Sequence, residues 1–391
     1  MKIGIVDADL VGRKKHRFPN LACEKISGYH KRLGHEVHLL TTFEWPDTYD
    51  RIYISKVFTD TPVPDFVNDL AQSNPHSKIR IGGTGFYFDK APALPDEIEH
   101  HMPDYHLYDE WIEQEVQTAK RKAQQQDKRF DERRFMANQF KFYTDYSLGF
   151  ITRGCFRKCG FCVNQKYNHV FEHSPLKEFM DDSRKKLCFL DDNFLGYPRW
   201  KRLLQEIIDT GKPFVFKQAL DERILTDEKC KMLFSAKYDG DMTFAFDNIK
   251  DYDLIHRQLE IIKKYKRKKN VKFYVLVGFE STDAEDIENA FKRIELLFRY
   301  GCFPYTMRYM GRDNVPYMHS KYRALYVALA GWTNQPRFIK RTSFRQFCEL
   351  EQERHKNKET LCSSMQALND FEREHPDIAK RYFDMHFIPT E

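Results

Sequence analysis

The sequence predicts an α/β protein built from a small Rossmann-like parallel α/β domain, a partial (β/α)6 TIM-like barrel and a helical C-terminal tail. Three observations carry this. Short apolar runs alternate with helical periodicities through the first hundred residues. From Ser147 six more strand-like runs alternate with helical patterns, and beyond residue 312 only helical patterns remain. The expected divisions are 1–100, a charged helical linker at 101–146, the barrel at 147–312 and the tail at 313–391.

The first strand is the apolar run Ile3-Gly4-Ile5-Val6, ending at Asp7. Asn20 is a fitting N-cap for the helix that follows, whose apolar positions Ala22, Ile26, Tyr29 and Leu33 recur every three or four residues before Gly34 stops it. Strands are expected at 37–40, 51–54 and 78–81, with a helix near 65–72 and a turn at Gly82-Gly83. From Trp111 to Arg134 the chain is dominated by Glu, Gln, Lys and Arg, which reads as a solvated helical connection or lid. The second series places strands at 148–152, 187–190, 214–217, 242–245, 271–277 and 303–308. Its best helix opens on a capping box, Thr282-Asp283-Ala284-Glu285, and carries Ile287, Ala290, Phe291, Ile294, Leu297 and Phe298 on one face. The tail is helical around 322–330, 344–352 and 361–373. In such a barrel the chemistry gathers where strands end and βα loops begin.

Hydrophobic residues at 41% and charged residues at 31% exclude a disordered or collagen-like chain. No run approaches the roughly 18 apolar residues of a membrane span, and the N-terminal stretch lacks the apolar core and small-residue cleavage site of a signal peptide. No membrane partner and a cytoplasmic location are therefore expected. Lys plus Arg at 64 against Asp plus Glu at 58 leaves +6, which permits a nucleic-acid or other macromolecular substrate without requiring one. Two basic clusters, 263–269 and Lys120-Arg121-Lys122 with Arg133-Arg134, fit that partner or, more simply, solvated helix ends.

Nine cysteines in such a chain point to metal or redox chemistry before disulfides. Cys23, Cys188, Cys230, Cys302, Cys348 and Cys362 are scattered singly and read as small buried hydrophobes. Cys155, Cys159 and Cys162 form a C-x3-C-x2-C array just after the first barrel strand. Three thiolates so spaced suit a [4Fe–4S] cluster with one iron left open. Structural zinc wants four closed ligands, which His169 or His173 would have to complete.

This loop, with Phe161 at its aromatic position, resembles the hallmark of the radical S-adenosylmethionine superfamily, over roughly 147–312. The resemblance implies that the open iron chelates S-adenosylmethionine and that one electron, from a donor such as flavodoxin or ferredoxin, cleaves it to a 5′-deoxyadenosyl radical that abstracts a substrate hydrogen. Cofactor contacts carried over from the family fall on Asp191 and Asp192 in the turn after the second strand, where the family usually has Gly-Gly-Glu. Others fall on Gln218 and Arg223 after the third, Asp247 after the fourth, Gly278 after the fifth and Arg308 at the end of the sixth. For Asp247 helix capping is the competing reading, and for Arg308 a plain surface position.

The N-terminal layer resembles the cobalamin-binding-like domain of one large class in that superfamily, and the stretches Phe18-Pro19-Asn20-Leu21 and Leu94-Pro95-Asp96-Glu97-Ile98-Glu99 resemble bacterial or phage-type members. Where that class places its cobalt-ligating His, this chain has Asp9, within Asp7-Ala8-Asp9-Leu10-Val11-Gly12, which argues against bound cobalamin. The turn Gly82-Gly83-Thr84-Gly85 lacks the Lys and Ser/Thr of a phosphate loop. Rival readings are a non-catalytic nucleic-acid-binding protein with structural zinc, and a cluster-bearing scaffold without turnover.

Overall fold

Ile3, Ile5 and Val6 are fully buried because the strand that carries them, β1 (Lys2–Asp7), lies inside a parallel sheet. Its partners are β2 (Glu36–Leu39), β3 (Arg51–Ser55) and β4 (Ile79–Gly82), in the order β2-β1-β3-β4 and all parallel. The computed structural model describes residues 1–73, 78–267, 269–311, 315–357 and 359–387. Lys268 of the basic cluster and the 312–313 boundary lie outside the described residues. Contacts divide the chain into two units, Met1–Tyr197 with Gly211–Lys217, and Pro198–Thr210 with Gln218–Glu391.

The period of two along β1 sends its side chains to two cores. Ile3 and Ile5 join Cys23, Ile26, Leu107, Tyr108, Ile112, Val116, Phe140 and Tyr143, whereas Val6 joins Ile52, Ile54 and Val67. Charged residues around 101–146 thus cover the outside of a layer whose inner face packs on the sheet. The helix Leu21–Arg32 starts at Asn20, whose Oδ1 accepts from the amides of Ala22 at 3.1 Å and Cys23 at 3.3 Å. Its buried face differs from the expected one: Leu33 is 53% exposed, and Glu24, Lys25 and Ser27 are buried. Segment 99–104 explains the difference, since Lys25 Nζ meets Glu99 Oε1 at 2.7 Å and Ser27 Oγ donates to Asp104 at 2.6 Å. Lys25 and Ser27 thereby keep partners in their burial, whereas one carboxylate oxygen of Glu24 has none among the described residues.

Next come β5 (Tyr146–Gly149), the two-residue strands β6 (Thr152–Arg153) and β7 (Phe171–Glu172), then β8 (Lys186–Phe189) and β9 (Phe214–Phe216). Strands β5, β8 and β9 pair in parallel in that order, with Leu148 opposite Cys188 and Cys188 opposite Val215, whereas β6 and β7 pair antiparallel.

In the second unit β10 (Met242–Ala245), β11 (Val271–Val277) and β12 (Phe303–Arg308) form another parallel sheet in sequence order. The helix Ala284–Arg299 buries all six apolar positions expected of it. It begins one residue later than the capping box placed it: Asp283, not Thr282, is the N-cap, and its carboxylate accepts from the amides of Glu285 at 3.1 Å and Asp286 at 3.3 Å. A carboxylate both accepts better than a hydroxyl and opposes the positive helix end. Helices Arg323–Thr333, Phe344–Arg354, Ser363–Glu374 and Pro376–Tyr382 make the tail. Just after the first of them, Asn334 turns its side-chain amide onto β12, accepting from Thr306 N at 2.8 Å and donating to Thr306 O at 3.0 Å.

All nine cysteines lie among the described residues and no disulfide joins them. Of the six single ones five are buried, while Cys362 is half-exposed. No helix among the described residues is long and apolar enough to cross a membrane.

Candidate metal and cofactor site

The cysteine loop is an excursion closed at its neck by β6 and β7, where Thr152 faces Glu172 and Arg153 faces Phe171. Gly154 opens it with φ of +88°, and a Cβ there would fall 2.3 Å from the carbonyl oxygen of His169, so only glycine fits. Within the loop Cys162 N donates to Cys159 O at 3.0 Å, and the Gln165 amide donates to the carbonyls of Cys159 at 2.6 Å and Cys162 at 3.1 Å. Lys158 Nζ reaches the carbonyls of Gln165 at 2.8 Å and Tyr167 at 2.7 Å. A loop without regular structure is thus held by its own polar side chains.

The three thiols are half-buried. Cys155 Sγ accepts from Arg157 N at 3.3 Å and from Asn193 Nδ2 at 3.4 Å, and Cys162 Sγ accepts from Asn164 N at 3.4 Å. Donors aimed at sulfur favour thiolate, the form that binds metal. Burial pushes the Cys162 thiol pKa up; the Asn164 amide opposes this, while Cys159, Cys155 and Asp192 add to it. Metal binding would therefore release a proton here. The residue types fit a thiolate-held cluster, being soft ligands in one loop with amide donors to sulfur, although in this structure the three side chains are not drawn together around a metal position. Phe161 is half-buried between Gly160 and Cys162, and Phe156 is 41% exposed with Arg157 over its ring at 5.1 Å.

Both acids of the turn after β8 face this loop. Asp191 is buried, and its carboxylate accepts from Thr152 N and Thr152 Oγ1 at 2.6 Å each and from Ile151 N at 3.3 Å. Burial raises its pKa from 3.8 to about 7 against those three donors. Asp192 accepts from Gly154 N at 2.7 Å and Asn164 Nδ2 at 2.8 Å, and Arg153 Nε lies 3.4 Å away. Sequence reasoning named Asn193 only as the third residue of the polar turn Asp191-Asp192-Asn193 and missed Asn164, whose one signal is its place two residues after the last cysteine.

His169 and His173 point elsewhere. His169 Nδ1 lies 3.0 Å from Asn168 Oδ1. His173 stacks on His100 with centroids 5.1 Å apart, and its Nδ1 lies 3.0 Å from Ser174 Oγ. Burial lowers its pKa to about 4. Among the described residues no three His, Cys, Asp or Glu side chains converge as a single metal-ion site.

The remaining candidates lie in the second unit. Gln218 is exposed, shortly before the isolated bridge that ties Leu220 to Phe244 of β10. Arg223 is already engaged by carboxylates: Asp221 at 2.8 Å, Asp251 at 3.5 Å and Glu222 at 3.7 Å. Glu222 is buried, accepts from Ala245 N at 3.0 Å, and has its pKa raised to about 8 by burial and by Asp221. Asn248, rather than Asp247, caps the single turn Ile249–Asp251, accepting from Lys250 N at 2.9 Å. Burial raises the Asp247 pKa to about 6 while Arg293 and Arg223 oppose it. Gly278 donates to Asp286 at 2.8 Å, and a Cβ on it would meet Tyr317 Cβ at 2.9 Å. Arg308 lies over the same Tyr317 ring, 5.4 Å from its centroid.

Asp247, Gly278 and Arg308 therefore follow or close three adjacent parallel strands, a place where ligands collect. Arg293, missed because its helix was read for apolar periodicity, is fully buried and donates from one nitrogen to the carbonyls of Phe246, Asp247 and Leu276 at 2.8–2.9 Å. It joins the ends of β10 and β11.

Elsewhere several residues of the suggestive motifs hold the fold together. Asp9 accepts from Val57 N at 2.6 Å, Phe58 N at 3.3 Å and the Thr61 hydroxyl. In the glycine turn Gly85 N donates to Lys56 O at 2.9 Å. Lys266 caps the carbonyls of Tyr300 at 2.5 Å and Gly301 at 2.8 Å, and Lys269 caps Ala236 at 2.7 Å. In comparisons with known proteins, no protein-family model and no curated protein matches the chain.

Proposed function

We propose that the chain is a radical S-adenosylmethionine enzyme that holds a [4Fe–4S] cluster on Cys155, Cys159 and Cys162. The observation that carries the reading is the loop itself, three half-buried thiols at C-x3-C-x2-C spacing in one segment after β5 with amide donors aimed at two of the sulfurs. Cys155, Cys159 and Cys162 would hold the cluster, which would supply the one-electron reduction that splits S-adenosylmethionine into methionine and a 5′-deoxyadenosyl radical able to take a hydrogen atom from substrate.

The chain's own residues bind and orient. The loop amides and Asn193 stabilise thiolate sulfur. Asp247, Gly278 and Arg308, at the ends of three adjacent strands of one parallel sheet, are the residues that the resemblance assigns to the polar parts of the cosubstrate. Gln218 and Arg223 are assigned by the same resemblance to the methionine carboxylate or ribose, Gln218 being exposed and Arg223 paired with Asp221. Six parallel strands, paired as β5-β8-β9 and β10-β11-β12, support a partial (β/α)6 TIM-like barrel as the finer description of the fold. A flavodoxin- or ferredoxin-type donor is the matching electron source.

The test is anaerobic reconstitution with iron and sulfide, then dithionite and S-adenosylmethionine, with 5′-deoxyadenosine as the readout. Wild type should bind about four irons and form product, and Cys159→Ala should form none. One bound zinc and no iron would overturn the reading.

A further inference from the structure

We infer that the Asp191-Asp192-Asn193 turn serves the cysteine loop, with Asp192 as the strap that fixes the loop's span and Asn193 as a positioning residue that sets the electron affinity of the metal group through Cys155. The inference rests on the proposed reading of the three thiols as iron ligands.

The geometry separates the two roles. One oxygen of Asp192 holds the amide of Gly154, the residue before Cys155, and the other holds the side chain of Asn164, two residues after Cys162. A single carboxylate thereby ties the two ends of the segment that carries all three sulfurs. Asn193 meets a sulfur instead. It is buried, and its Nδ2 donates to the sulfur of Cys155 at 3.4 Å.

Their electrical effects on sulfur are opposite. A hydrogen bond to a cluster sulfur stabilises the state with more negative charge there, so it favours reduction. A carboxylate beside the loop disfavours added negative charge. Asp192 is therefore a device for holding and Asn193 a device for tuning. Exchanging their side-chain types would place a second anion against Cys155 Sγ and leave Gly154 N and Asn164 without a charged acceptor. Asp191 belongs with the strap, since its oxygens are taken up by Ile151 and Thr152 at the neck.

The experiment uses the full chain, reconstituted without oxygen, with three readouts: iron content, iron release to a chelator, and the midpoint potential followed by electron paramagnetic resonance. Asn193→Leu should keep the iron content of wild type and become about tenfold harder to reduce at a fixed potential, a shift of about 59 mV to more negative values for one electron. Asn193→Asp, of the same shape, should move further in the same direction. Asp192→Ala should release iron about tenfold faster, and the cluster it retains should shift to less negative potentials because an anion has gone.

A wild-type potential in Asn193→Leu or Asn193→Asp overturns the inference, and so do shifts of the same sign at 192 and 193. Loss of iron from both Asn193 variants with a native circular dichroism spectrum also overturns it, because a residue that only tunes is not needed for assembly. Failure of the wild-type chain to take up iron is a different result: it removes the proposed function itself.

Discussion

The ends of β1 and β8 make the same chemical offer, a buried parallel strand followed by two aspartates within a few residues. At β1 the pair is absorbed by the scaffold. Asp7 accepts from the amides of Asp9 at 3.1 Å and Leu10 at 3.3 Å and from the Tyr108 hydroxyl at 2.9 Å, and Asp9 clasps the loop after β3. At β8 the pair clasps a loop too, but that loop carries three thiols. An acid at a strand end is therefore no evidence of a ligand site until the loop it holds is known.

The comparison can be broken most sharply at Asp9. Replacing it by Ala leaves the amides of Val57 and Phe58 and the Thr61 hydroxyl without their acceptor in a buried site. A loss of about 3 kcal/mol is expected, read by urea denaturation, with iron uptake as in wild type. If iron uptake fell in step with stability, the two pairs would not be independent.

A smaller effect separates Asp7 from its neighbours by pH. Burial lifts both Asp7 and Asp191 from 3.8 to about 7 in the fold. Folded protein then holds these protons more tightly than unfolded chain, so their contribution to stability is full below about pH 4 and is lost as pH rises through 7. The melting temperature should fall over that window, and Asp7→Asn should flatten part of the slope. An unchanged slope in Asp7→Asn would show that other groups set it.

The smallest effect belongs to the rim of the strap. Arg153 lies 3.4 Å from Asp192 and covers the Phe150 ring at 4.0 Å, but Asp192 keeps Gly154 and Asn164 without it. Arg153→Lys should cost about 0.5–1 kcal/mol and leave iron retention unchanged. Rapid iron loss in that variant would make Arg153 part of the strap.

Local patterns made much of this legible. Strands β10, β11 and β12 fall where alternation and β-branched runs put them, and the six apolar positions of Ala284–Arg299 are buried as their period requires. The cysteine array was legible because soft-ligand spacing is itself local. Long-range pairing was not. Nothing near Glu24, Lys25 and Ser27 says that residues 99–104 will cover them, so an apolar stripe ending in Leu33 looked like the buried face. Arg293 was invisible for the same reason, since its partners are strand-end carbonyls brought to it by the sheet. The Asp pair after β8 was seen, but a local motif says that a residue is polar and not which donor it will meet.

The amide of Asn334 has a consequence for the molecule's dealings with its own copies. A strand at the end of a ladder shows a row of unsatisfied groups, and that row invites another polypeptide to continue it. At Thr306 both the donor and the acceptor are matched by one side chain, an imitation of the missing neighbour that is covalently part of the same chain. The ladder β10-β11-β12 thus ends in a counterfeit strand one residue long, and at that position a stray copy has no free register to extend.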